Sequence, residues 1–134
     1  MAERFTAAIA LGANVGEPER TFKRALNLLE RDADVQILRR SHWHTTDPVG
    51  KGGQPPYTNG AVLVETTLTP RALLDHMRAI EEHLGRDRDR EERFGPRAID
   101  LDLLFVHGAD GPVSVREEGL ILPHPRLEER TFVL

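Results

Sequence analysis

The residues best suited to chemistry lie between Arg93 and Leu104, where Phe94-Gly95-Pro96-Arg97 leads into Ile99-Asp100-Leu101-Asp102-Leu103-Leu104. Ile99, Leu101 and Leu103 alternate with Asp100 and Asp102. A β-strand would therefore place both carboxylates on one face and the three aliphatics on the other. Neighbouring carboxylates repel each other unless a cation lies between them. A hard divalent ion such as Mg²⁺ suits the position, because it binds through one or two carboxylates together with substrate phosphates. Arginines at 86, 88, 90, 93 and 97 point to a polyphosphate as the cargo of that ion. A plainer explanation is a half-exposed antiparallel strand with its polar side outward. Against it stands the low β-propensity of Asp, which makes two in one short strand unusual.

Other segments add to this. Thr46-Asp47-Pro48-Val49-Gly50 and Gln54-Pro55-Pro56-Tyr57-Thr58-Asn59 are rich in rings and amides. A buried Asn amide offers donors and acceptors to the edge of a flat heterocycle, and Tyr57 offers a stacking face. Both could equally satisfy a turn or a strand edge. Gly12-Ala13-Asn14-Val15-Gly16 is not a dinucleotide fingerprint, and Val49-Gly50-Lys51-Gly52 lacks the Ser/Thr of a P-loop. Arg86 to Arg93 carries four arginines and four acids. That composition reads as a solvated loop or, given Gly85 before it and the acidic strand after it, as a mobile lid.

These segments need a scaffold. With 134 residues, 39% of them hydrophobic, the chain is expected to form one domain over 1–134. A net charge of −4 argues against a general nucleic-acid binder, and no apolar run reaches transmembrane length. The absence of cysteine fits a cytoplasmic protein. Phe5 to Gly12 reads as a central strand. Pro18 opens a helix whose Phe22, Ala25, Leu26 and Leu29 share a face. Val35 to Trp43 reads as a strand, Thr45 to Pro56 as a loop, and Ala61 to Val64 as a further strand. Thr69-Pro70 starts a second helix, with Leu73, Met77, Ile80 and Leu84 along one side and Gly85 at its end. Ile99 to Val106 is the acidic strand, and a last extended piece surrounds Leu120-Ile121-Leu122-Pro123. The order β-α-β-β-α-β predicts an α+β, ferredoxin-like fold, an antiparallel sheet with both helices on one face.

In ordered combination these motifs resemble the 6-hydroxymethyl-7,8-dihydropterin pyrophosphokinase family of folate biosynthesis. The matching segments are Leu11 to Gly16, Thr46 to Gly50, Gln54 to Asn59, Arg93 to Asp102, Leu122-Pro123-His124-Pro125-Arg126 and Arg130-Thr131-Phe132-Val133-Leu134. The resemblance implies transfer of the β,γ-diphosphate of ATP to the pterin hydroxymethyl group, with release of AMP. It implies two Mg²⁺ ions on Asp100 and Asp102. Arg86, Arg88, Arg97, His124 and Arg130 would surround the triphosphate, with Glu81 and Leu103 near the nucleoside. The pterin would lie between Tyr57 and Phe132, with Asn59 at its polar edge. Thr46, Pro48 and Val49 would form its rim, and Phe94 would stand where many members carry Trp. Pro125 departs from the family pattern, and the chain stops at Leu134, where members usually continue. ATP and the pterin are the expected partners of a monomer, without nucleic acid or membrane. Two other readings stay open: a non-catalytic module that binds ATP or pterin, and a nucleotide-sugar transferase suggested by Asp-x-Asp alone.

Overall fold

The computed structural model describes residues 3–14, 17–46, 57–85 and 99–125. In chain order the elements are β1 (Phe5–Ala13), α1 (Pro18–Arg31), β2 (Val35–Arg40), β3 (His44–Thr46), β4 (Tyr57–Thr66) and α2 (Pro70–His83). They are followed by β5 (Asp100–Gly108), β6 (Gly111–Pro112), β7 (Val115–Glu117) and β8 (Leu120–Leu122). The main sheet runs β2-β4-β1-β5-β6, with β3 also on β4. Its ladders are antiparallel, and each long strand is separated from its helix-linked partner by a strand of the other pair. This is the interleaved order of a split βαβ fold.

Local chemistry explains the elements. Thr69 caps α2 by accepting a hydrogen bond from Ala72 N at 3.2 Å, and Pro70 fills the first turn. Gly85, at φ +97°, adopts the left-handed conformation that ends this helix. Phe22, Ala25, Leu26 and Leu29 of α1 and Leu73, Leu74, Met77 and Ile80 of α2 are buried. They pack on Ile9, Leu11, Val62, Val64, Leu101 and Leu103, which makes one face of the sheet the main core.

Three strands differ from their sequence-based expectation. The strand expected over Val35 to Trp43 stops at Arg40 and resumes as β3. Ser41 makes the break: its N–H donates to Ala61 O (2.8 Å), and its hydroxyl accepts from Ala61 N (2.9 Å). Trp43 then turns over Gly60 and packs on Phe22, ring centroids 4.9 Å apart. β4 is longer than the predicted Ala61 to Val64, because His44, Thr45 and Thr46 give Asn59, Thr58 and Tyr57 a ladder partner. Thr45 and Thr46, assigned to a loop by their composition, are therefore strand. Finally, β5 has a bulge opposite Ala8 and Ile9. Leu104 turns to the face away from the helices, where it is buried with Ala8 and Ala10, and Val106 returns to the main core. No helix among the described residues is long and apolar enough to cross a membrane.

Candidate active site

Cross-strand register assembles the site. Gly12 of β1 lies opposite Asn59 of β4 on one side and Asp100 of β5 on the other. Ala10 lies likewise between Ala61 and Asp102. Directly opposed residues of an antiparallel pair point to the same face. Asn59, Gly12 and Asp100 thus form one row across the sheet, and Ala61, Ala10 and Asp102 the next. Both rows lie on the face away from the helices. Ile99, Leu101 and Leu103 are buried and the two aspartates are half-exposed, as the alternation predicts. Two strand spacings put the Asn59 and Asp100 backbones about 10 Å apart.

Small residues keep the floor between them low. A Cβ added at Gly12 would come within 2.7 Å of Tyr57 Cε1 and 2.8 Å of Cζ. The Tyr57 ring therefore lies directly over the Gly12 backbone, and only glycine permits this approach. Tyr57 and Asn59, two residues apart on β4, share the face with Asp100. Asn59 Oδ1 is buried and has no hydrogen-bond partner among the described residues. An orphaned buried acceptor is costly in a folded protein and suits a donor brought by a ligand.

His124 reaches the same end of β5 from the segment after β8. Its N–H donates to Leu104 O at 2.7 Å, and its Nε2 lies 3.9 Å from Asp102 Oδ1. Beside them is a cavity of about 270 Å³. Leu74, Leu103, Leu120 and Ile121 line it with apolar surface, and Arg78, Asp102 and His124 contribute polar groups. Its size and apolar lining suit a flat base rather than a whole nucleotide.

Glu81 lies beneath β5. Its carboxylate accepts hydrogen bonds from Leu101 N and Arg78 Nη1, each at 2.8 Å. It is held against the strand that carries the aspartates, and Arg78 lines the cavity in front of it. Thr46 is the last residue of β3, its backbone paired with Tyr57. Pro48, Val49, Arg86, Arg88, Phe94, Arg97, Arg130 and Phe132 lie outside the described residues, as does the expected lid.

Two carboxylates with an imidazole nearby form a donor set that fits a metal arriving on phosphates, since Mg²⁺ keeps water and phosphate oxygens as most of its ligands. Among the described residues, no group of three or more His, Cys, Asp or Glu gathers into a protein cage. Sequence reasoning did not single out Arg78, or the reason for Gly12. The Arg78–Glu81 spacing on one helix face was available as a signal. The packing of Gly12 under Tyr57 was not, because those residues are far apart in the chain.

Comparison with known proteins supports the same assignment. Residues 8–134 match the family model described as 7,8-dihydro-6-hydroxymethylpterin-pyrophosphokinase (HPPK). The chain is 43% identical over 128 residues to a 2-amino-4-hydroxy-6-hydroxymethyldihydropteridine pyrophosphokinase of Bacillus subtilis, covering 96% of this chain and 73% of that one. A protein of the same name from Methylorubrum extorquens is 39% identical over 128 residues, covering 96% and 77% respectively. A folate synthesis bifunctional protein of Arabidopsis thaliana is 40% identical over 126 residues, 94% of this chain and 25% of that longer one. With a family match over nearly its whole length and the paired aspartates, Tyr57, Asn59 and His124 gathered at one end of its sheet, the chain belongs to the 7,8-dihydro-6-hydroxymethylpterin-pyrophosphokinase family.

Proposed function

We propose that the protein transfers the diphosphate of ATP to 6-hydroxymethyl-7,8-dihydropterin, forming the pterin diphosphate and AMP in folate biosynthesis. The hydroxymethyl oxygen attacks the β-phosphorus and loses its proton to solvent, and the bridging oxygen leaves with AMP. The observation that carries this reading is the shared face of Asn59, Gly12, Asp100 and Asp102. It supplies a heterocycle reader and a phosphate–metal site about two strand spacings apart.

Asn59 Oδ1 accepts a hydrogen bond from the pterin's amino-pyrimidinone edge, which satisfies the buried acceptor. Tyr57, held over Gly12, offers its ring to the bicycle, opposite Phe132. Thr46, Pro48, Val49 and Phe94 border the same ligand. Asp100 and Asp102 would hold two Mg²⁺ ions, which would supply charge neutralisation for the reacting phosphates. The adenine base enters the cavity beside Leu103, with Glu81 behind the strand. His124 and the guanidinium groups of Arg86, Arg88, Arg97 and Arg130 bind phosphate oxygens. No described side chain is placed as a general base, so positioning and electrostatics carry the rate. Residues 1–134 are read as belonging to a single pterin pyrophosphokinase domain that works as a monomer in the cytoplasm.

Mixing the protein with Mg²⁺-ATP and the pterin alcohol and identifying the nucleotide product tests the reaction. AMP is expected. ADP would overturn it, and tight ATP binding without product would mark a binding module.

A further inference from the structure

We propose that the Arg78–Glu81 ion pair is a positioning device for the aspartate pair, standing in for a neighbouring strand along the outer edge of β5. The proposal rests on the reading of Asp100 and Asp102 as the metal site. Strand β1 covers one edge of β5 over its whole working length, but β6 covers the other only at His107 and Gly108. At the aspartates the outer edge faces α2 instead. There Glu81 Oε2 accepts from Leu101 N at 2.8 Å, and Arg78 Nη1 donates to Leu101 O at 2.8 Å. The two side chains are joined by a further 2.8 Å bond from Arg78 Nη1 to Glu81 Oε1. A donor and an acceptor held one helical turn apart thus reproduce the pattern that a paired strand would offer.

Leu101 is the residue between the two aspartates. Its main-chain groups bond Arg78 and Glu81 of α2, so the Leu11–Leu101 pair is the non-hydrogen-bonded kind, in which the Cα atoms approach more closely and no hydrogen bonds are exchanged. Holding both groups of Leu101 fixes the backbone torsions that set the spacing and aim of Asp100 and Asp102. Nothing in general strand packing requires charged groups for this. The Glu81 side chain is only 2% exposed and that of Arg78 33%, a costly way to close an edge unless orientation matters. Arg78 also lines the base cavity together with Asp102, so the device joins the nucleotide site to the metal site. One nitrogen, Nη1, serves both acceptors. A lysine ammonium can therefore replace it, whereas an apolar side chain cannot.

The test uses Arg78→Met/Glu81→Leu, which removes the pair while filling its volume with apolar groups, so that no buried charge is left alone. Arg78→Lys is the conservative variant and Asp102→Ala the reference. Mn²⁺ binding is measured by electron paramagnetic resonance with α,β-methylene-ATP, whose α–β bridge cannot be cleaved, and amide exchange is followed at Leu101. In the double variant, Mn²⁺ affinity and kcat should each fall about tenfold or more, the effect typical of losing an outer-sphere support. Exchange at Leu101 should accelerate, because its two main-chain groups lose their partners. Arg78→Lys should restore most of both. A folded double variant with unchanged Mn²⁺ affinity overturns the proposal, provided that Asp102→Ala loses the metal. A raised KM with unchanged metal binding also overturns it, since that marks direct nucleotide contact. Unchanged metal binding in Asp102→Ala overturns the metal reading itself.

Discussion

At the scale of single residues, the site depends on what each position excludes as much as on what it offers. Asp100 and Asp102 are half-exposed with the apolar half of their strand buried beneath them. Truncating either one leaves the buried Ile99, Leu101 and Leu103 in place. Asp100→Ala and Asp102→Ala should each lower turnover by about a hundredfold or more while the melting temperature stays within a few degrees. Steady-state kinetics beside a thermal melt checks both halves. Gly12 makes the opposite contribution. A methyl group there would push into the Tyr57 ring, so Gly12→Ala should raise the pterin KM about tenfold and leave that for ATP nearly unchanged. Equal KM values for the pterin in the two proteins would remove Tyr57 from the pterin site.

Elements hold these residues through a few local devices. The cap on α2 is one: losing the Thr69 hydroxyl in Thr69→Ala frees the Ala72 N–H at a cost of about 1 kcal/mol. Thermal unfolding should show a midpoint lower by about 4 °C. The corner between β2 and β3 is another. Trp43 rests on Gly60, and a Cβ there would overlap ring carbons Cε3 and Cζ3. Gly60→Ala must displace the indole from Phe22, an overpacking cost of about 1–3 kcal/mol. Denaturant titration should report the loss, and the single tryptophan should report its new environment by fluorescence.

On the scale of the whole molecule, contacts distant in sequence close the site. Arg71, in the first turn of α2, donates to Glu117 Oε2 at 2.8 Å and to Glu118 O at 3.0 Å. It thereby ties the β7–β8 hairpin, which walls the cavity beside Asp102, to the helix that also carries Arg78 and Glu81. Both partners are substantially exposed, and such pairs contribute only about 0.2–1 kcal/mol to stability. Arg71→Ala should therefore leave the melting temperature almost unchanged but raise the KM for ATP a few-fold, about what a lost surface tether is worth. An unaltered KM would mean that the hairpin keeps its place without the tether.

Much of this was legible in the chain itself. Period-two alternation at Ile99 to Leu103 assigned the faces of β5, and the spacing of Phe22, Ala25, Leu26 and Leu29 assigned the buried side of α1, because burial acts on each residue through a local period. Thr69-Pro70 and Gly85 marked the ends of α2 by their own backbone chemistry. The element order fixed the split βαβ arrangement, since crossover helices leave few ways to interleave the strands. The break at Ser41, the extension of β4 to Tyr57 and the bulge at Leu104 were not legible. Each depends on a partner strand whose register the local pattern does not contain. The same holds for Tyr57 over Gly12 and for Glu81 and Arg78 on Leu101. Sequence by itself determined which residue types are suited to the proposed chemistry and which face each described element buries, because those follow from residue type and period. Only the tertiary structure decided which of them meet, because hydrogen bonds and van der Waals contacts act over a few ångströms, whatever the separation along the chain.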